Sequence, residues 1–488
     1  MRPAPPASIT GKEQERVLMK QAGYLRRFGL LVLLFILAAL PLLLPLLAHL
    51  EDSMLSSADS VPGNLITLDP SSQVGPVNPL VWGIGAPGRE IWNGDDPLVI
   101  QRIREAHIKL IRIGAIQYSN YHLGGYTCTA PTHCDFSDMD QLLHAIFAAG
   151  AEPLFTVAGY PGGFAPHDWS SYAIFMQQVV ERYNRELVLG NKVRYWEMWN
   201  EPQIEGDGTI PTMQEYADFI NTVGGAMKAV DPDLKLVAPA APFADLSSNG
   251  WVSYIAKQTN DLVDVLSWHD YGRYDATDQD RLDQEQQMYE DNVTKVETDA
   301  AFVSSTGKHY GAAITEYNMA GQSLVDGDDS KFHSIYNAVF IANAIIYAMR
   351  AKAELYTFYL LAQLGPNRLG VLDYKNHWTP YIPYYTFLLF GNYSGTSLIG
   401  SSGDTDRLTY LASRSQDGNT LYVIVVNSNM RAAQQVTLQI KDMPSGKYTT
   451  SLLDKNGYAT AGTPSSYTEG RITSTLPALS VTAFDIML

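Results

Sequence analysis

The sequence predicts an α/β fold: a (β/α)8 TIM barrel followed by a C-terminal antiparallel β-sandwich, with one N-terminal transmembrane helix ahead of both. Three observations predict it. Between about residues 65 and 395, short apolar runs of strand length alternate with longer helical patterns, as in βα units that share a parallel sheet. Beyond that point the pattern becomes apolar–polar with period two, broken by turn-rich pieces such as SQDGN, DMPSG and DKNG. Ahead of both, residues 28–50 (FGLLVLLFILAALPLLLPLLAHL) contain no Asp, Glu, Lys or Arg.

Residues 1–27 are basic, with Arg2, Lys12, Arg16, Lys20, Arg26 and Arg27 against Glu13 and Glu15. They read as a cytoplasmic segment. The run at 28–50 is long enough to cross a bilayer, which takes about 20 apolar residues, and Pro41 and Pro45 are tolerable within it. Glu51, Asp52 and Asp59 follow. The positive-inside rule therefore places everything after the span outside the cytoplasm, anchored to the membrane. A cleaved signal peptide, leaving a secreted protein, is the alternative, but its apolar region is usually about 7–15 residues. Residues 51–64, small and polar, read as a linker.

The barrel is expected over 65–395, with strands at 79–85, 110–114, 152–157, 193–199, 234–239, 263–268, 309–315 and 353–360. Helices are expected between them, as at 168–186 and 212–230. Eight strands point to a closed barrel, for which about 250 residues is typical. A doubly wound sheet would carry fewer strands and a ligand fingerprint. The sandwich is expected over 396–488, with strand 64–68 as a candidate to join it. Cys128 and Cys134 are the only cysteines, and in an exported protein they form a candidate disulfide rather than a metal site. A net charge of −17 argues against a nucleic-acid partner, whose phosphates require a basic surface.

Catalytic groups in such barrels sit at the C-terminal ends of strands. Glu201, in RYWEMWNEPQIE, falls at the end of the fourth, and Glu316, in GAAITEYNMA, at the end of the seventh. Two carboxylates across one barrel mouth are what glycosidic bond cleavage needs, one protonated to donate and one ionised to attack. A single carboxylate among 51 acidic residues is most often a solvated charge; a pair at two apolar strand ends is not. Glu197 shares side-chain parity with Glu201 and reads as a buried, paired structural group.

Trp199-Asn200-Glu201-Pro202 and Ile314-Thr315-Glu316-Tyr317 resemble the acid/base and nucleophile motifs of retaining (β/α)8 glycoside hydrolases, the clan with catalytic glutamates on strands four and seven. The closest architecture is glycoside hydrolase family 39, whose members append a small β-sandwich to the barrel. They include β-xylosidases, α-L-iduronidases and endoglycosidases of bacterial exopolysaccharide. The resemblance implies Glu201 as general acid/base, Glu316 as nucleophile and Asn200 as a partner for the sugar 2-hydroxyl. It implies Arg112 as the cation that keeps Glu316 ionised, and His269 and Tyr271 as a pair bordering it. A structural ion pair for Arg112 and a loop-orienting role for His269 are the alternatives. Trp199, Trp268, Tyr160, Tyr317 and Tyr359 are candidate sugar-stacking walls, each equally suited to core packing. One departure stands out: the clan's strand-eight Trp is absent from ELYTFYLLAQ.

The expected partner is an oligo- or polysaccharide, and the chemistry calls for no metal or cofactor. An endoglycosidase acting on cell-envelope exopolysaccharide suits the anchor. An exo-acting β-xylosidase or arabinofuranosidase, and an inactive carbohydrate-binding surface protein, are the alternatives. Gly83, Gly85 and Gly88 match G-x-G-x-x-G, but Pro87 removes an N–H that a pyrophosphate would need. They read as a tight turn.

Overall fold

The computed structural model describes residues 64–86, 92, 94–114, 127–159, 165–204, 210, 212–272, 279–320, 329–363, 369–403, 405, 407–460 and 462–488. Eight parallel strands close into a barrel: Gly83–Gly85, Leu110–Gly114, Glu152–Val157, Tyr195–Met198, Lys235–Ala241, Val263–Tyr271, Gly311–Asn318 and Leu355–Phe358. The first is shorter than expected. Asn78 accepts from the N–H of Leu80 and Pro79 fixes the next φ, so Pro79–Trp82 winds into a 3-10 turn before the strand begins. Gly83 and Gly85 belong to that strand rather than to a turn. A Cβ on Gly83 would come within 2.8 Å of Thr357 on the eighth strand, so the glycine permits close approach at the closure.

Alternation along the strands builds the interior in layers. Leu110, Leu154, Tyr195, Val237, Val265, Ala313 and Leu355 form one buried cluster, a residue from each of strands two to eight. Two residues further on, the same faces carry Arg112, Thr156, Glu197 and Ser267, all buried. The polar site therefore rests on an apolar floor.

Outside the barrel, the helix Trp169–Val180 opens on Asp168, whose carboxylate accepts from the N–H of Ser171 at 3.1 Å, and continues as a π turn over Glu181–Arg185. Thr212 caps Met213–Phe219 in the same way, and a π turn at Ile220–Gly224 joins it to Gly225–Val230. The buried helix Ile335–Arg350 reaches the C-terminal domain, where Asn343 donates to Ser428 Oγ at 2.8 Å.

That domain is one ten-stranded sheet, which closes on itself because Ser480–Met487 pairs with both Thr420–Asn427 and Ser445–Asp454. It is not wholly antiparallel. Asn64–Pro76 inserts between Ser397–Ser402, antiparallel to it, and Gln434–Ile440, parallel to it. The N-terminal strand thus ties into the far end of the chain. Residues 28–50, expected to span a membrane, lie outside the described residues. Among the described residues no helix is long and apolar enough to cross one. Cys134 is disulfide-bonded, and Cys128, the sequence's other cysteine, is its register partner in a hairpin after the second strand.

Candidate active site

The fourth strand does not simply run out. Trp199 adopts φ +77° and Glu201 φ +41°, left-handed conformations that non-glycine residues take at a cost of about 1–3 kcal/mol each. The first breaks the alternation: Trp199, which parity would send inward, leaves the barrel, and Asn200 and Glu201 are delivered to its mouth. Neighbouring strands hold the reversal. Trp199 N–H donates to the Val157 carbonyl at 2.8 Å, and Glu201 N–H to the Ala240 carbonyl at 3.0 Å. The Tyr216 hydroxyl donates to the Met198 carbonyl.

Glu316 reaches the same space by a different route. Against both neighbouring strands, the seventh strand carries one extra residue between Ile314 and Glu316 or Tyr317. Ala313 faces the interior cluster and Ile314 the outer core; strict alternation would then turn Glu316 outward. The extra residue re-aims it inward, as bulges do.

Arg112 spreads its guanidinium over three acceptors: Nε to Glu197 Oε2 at 2.7 Å, one terminal nitrogen to Glu316 Oε1 at 2.5 Å, the other to Asn200 Oδ1 at 2.6 Å. Tyr271 donates its hydroxyl to Glu316 Oε2 at 2.6 Å. His269 Nδ1 lies 2.8 Å from Glu201 Oε1 and 3.5 Å from Glu316 Oε2. One carboxylate oxygen of Glu201 is within 4.8 Å of one of Glu316. Glu316, His269 and Arg112 are buried, whereas the Glu201 side chain is 19% exposed, open to an incoming molecule. Glu201, His269 and Glu316 would each offer a ligand atom to a cation, but His269 Nδ1 is already shared between the two carboxylates.

The electrostatics follow from these contacts. Burial alone would push the Glu316 carboxyl up, but the charges of His269 and Arg112 and the hydrogen bonds from Tyr271 and Arg112 outweigh it and hold it below the usual range. Burial, then the Glu316 charge, push the Tyr271 phenol well above its ordinary value, so it remains a donor. Burial opposes charge on His269, yet Glu316 and the hydrogen bond to Glu201 raise it above 6.5. Its contribution to stability is therefore complete below about pH 6.5 and lost as pH rises through the raised value. Thermal melts of the parent across that window should decline with a slope that His269→Gln lacks.

Residues 149–362, which span strands three to eight and both glutamates, match the family described as Glycosyl hydrolases family 39. The chain is a glycoside hydrolase. A search of curated proteins finds no match. Among solved structures the hydrolase is similar to a monomeric β-xylosidase from Caulobacter crescentus CB15, at 14% identity over 87% of this chain and 99% of that one, with a TM-score of 0.66. It is similar to a glucosidase from Croceicoccus marinus at 18% identity, over 87% and 99%, with a TM-score of 0.65. A GH51 α-L-arabinofuranosidase from Thermotoga petrophila RKU-1 aligns at 17% identity, over 86% and 99%, with a TM-score of 0.65. At such identities the likeness concerns the fold.

Three of the expected sugar walls are elsewhere in the hydrolase. Trp199 is buried against Trp169, Tyr172 and Phe219 of the outer helices. Tyr317 is buried against Tyr356 and Phe358, with ring centroids 4.3 and 5.4 Å away. Trp268, one residue before the inward His269, joins the outer core. All three pack outside the barrel and offer a sugar no face. Tyr160 lies outside the described residues. Tyr359 is half-buried just beyond strand eight, edge-on to Tyr271 at 6.2 Å. Sequence reasoning missed Thr156, which donates to Glu197 Oε2 at 2.9 Å; its parity with Leu154 was the available signal. A cavity of about 910 Å³ lies at the opposite end, where Asn78, Gly311 and Glu354 face the C-terminal domain, and it contains none of these groups.

Proposed function

We propose that the hydrolase cleaves an extracytoplasmic oligo- or polysaccharide by double displacement, with Glu316 as nucleophile and Glu201 as acid/base. One observation carries the assignment: both oxygens of Glu316 are held by Arg112 and Tyr271, while Glu201 approaches within 4.8 Å without those partners. Glu316 attacks the anomeric carbon as the glycosidic C–O bond breaks, and the Glu201 proton passes to the leaving oxygen. Glu201 then takes a proton from water, whose oxygen displaces Glu316. Retaining enzymes hold their carboxyls about 5–5.5 Å apart, and inverting ones about 6.5–9.5 Å, to admit a water between. The short approach supports retention. Proton NMR of the first sugar released from an aryl glycoside should show the substrate's own anomeric configuration; the opposite anomer would overturn the reading.

The apolar run at 28–50 and the basic segment before it support an anchored enzyme working on a polymer at the cell envelope, as an endoglycosidase. An exo-acting β-xylosidase or arabinofuranosidase is the second reading, supported by the named activities of the similar solved structures. Product sizes decide between them. Mixed oligomers from a polymer digest are expected for endo action, and monosaccharide alone for exo action.

A further inference from the structure

We infer that Glu197 and Thr156 are positioning residues for the reaction: together they anchor the Nε edge of Arg112, so that its two remaining nitrogens are aimed at Glu316 and Asn200. The inference rests on the glutamate roles proposed above. Glu197 is fully buried in the layer just above the apolar floor. Its Oε2 receives both Arg112 Nε at 2.7 Å and Thr156 Oγ1 at 2.9 Å, while its Oε1 has no hydrogen-bond partner among the described residues. A carboxylate kept only to neutralise Arg112 would be superfluous, since Glu316 already does so at 2.5 Å. The second carboxylate adds direction. A guanidinium fork is rigid and planar, so fixing its Nε edge fixes where both terminal nitrogens point.

Two consequences reach the substrate. One terminal nitrogen holds Glu316 Oε1, setting the carboxylate's orientation as well as its charge. The other donates to Asn200 Oδ1 at 2.6 Å, which commits the Asn200 carbonyl to Arg112 and leaves its NH₂ to donate to a sugar hydroxyl. Glu197 thus acts on both groups without touching substrate.

The experiment compares parent, Glu197→Gln and Thr156→Val, full-length, on a panel of 4-nitrophenyl glycosides. Asp264→Asn serves as control: Asp264 sits between Lys228 and Lys308 near the N-terminal end of the barrel, in an ion pair remote from the mouth. Glu197→Gln is expected to lower kcat about 10- to 100-fold and Thr156→Val about 3- to 10-fold, with KM within about twofold. Removing the Glu197 charge relieves its repulsion of Glu316 and leaves Arg112 less neutralised. Among the described residues the other charged or titratable groups around Arg112 and Glu316 are Glu201, His269 and Tyr271, with Tyr216 beside Glu197, and all stay in place. The acid limb of kcat/KM should therefore move to lower pH in Glu197→Gln, and Asp264→Asn should lower only the melting temperature. A folded Glu197→Gln with parental kcat, KM and pH profile overturns the inference. Turnover failing in the parent itself would sink the proposed function instead. Crystal structures of parent and Glu197→Gln then test positioning independently, by whether the Arg112 contacts to Glu316 and Asn200 are lost or persist.

Discussion

Glu316→Ala is expected to lower kcat/KM by about 10⁴-fold or more, on the order of 5.5 kcal/mol of transition-state stabilisation. The loss is large because groups from two strands converge on this carboxylate. Arg112 and Tyr271 hold its two oxygens, His269 adds charge at 3.5 Å, and all three are fixed to the barrel wall. Without the carboxylate they converge on an empty space, and no covalent intermediate forms. That space suits a small anion. Azide added to Glu316→Ala should occupy it and attack from the nucleophile's face, giving a glycosyl azide of inverted configuration. Glu201→Ala should behave differently. A general acid contributes about 10²–10⁴-fold, and the loss should shrink for 2,4-dinitrophenyl glycosides, whose leaving group needs no proton. Azide should rescue its second step from the opposite face, giving the retained product. Identical azide products from the two variants would refute the division of roles.

The barrel was legible in the sequence because each strand is buried on both faces and so reads as a continuous apolar run between helical patterns. The ends of strands four and seven could be located for the same reason. What could not be read was the direction in which side chains leave those ends. Trp199 follows the parity of Tyr195 and Glu197, yet its positive φ sends it outward; Glu316 faces inward because of an extra residue at the bulge. Both reversals depend on neighbouring strands, through the Val157 and Ala240 carbonyls and the pairing with His269, and no local pattern encodes them. The expectations for Trp199 and Tyr317 failed on this point, since both lie at the right strand ends but on the wrong face; Trp268 faces outward by simple alternation with the inward His269. Arg112 was legible because an arginine in LIRIG contradicts its apolar run and demands a buried partner. That it has three partners depends on two further strands, the fourth and the seventh, which a sequence keeps apart.

Arg112→Met should be destabilised by about 3–5 kcal/mol at neutral pH, because it leaves Glu197 fully buried and Glu316 nearly so without their shared cation. The sign of the pH dependence follows from Glu316. In the parent its pKa is depressed, so its contribution to stability is present above the unfolded value of about 4.3 and lost as pH falls through the folded one. With the cation gone, burial dominates and the folded pKa rises. The stability gap between parent and variant should therefore be widest at neutral pH and narrow as the solution is acidified and Glu316 takes a proton. The acid limb of activity should move the other way from that of Glu197→Gln, to higher pH. Arg112→Lys separates charge from geometry. A single ammonium cannot fork to Glu197, Glu316 and Asn200 at once, so it should restore much of the stability but leave kcat about 10²-fold low. Urea unfolding between pH 4 and 8, paired with pH–rate profiles, measures both quantities. A variant as stable as the parent with an unmoved acid limb would mean that Arg112 does not govern the ionisation of Glu316.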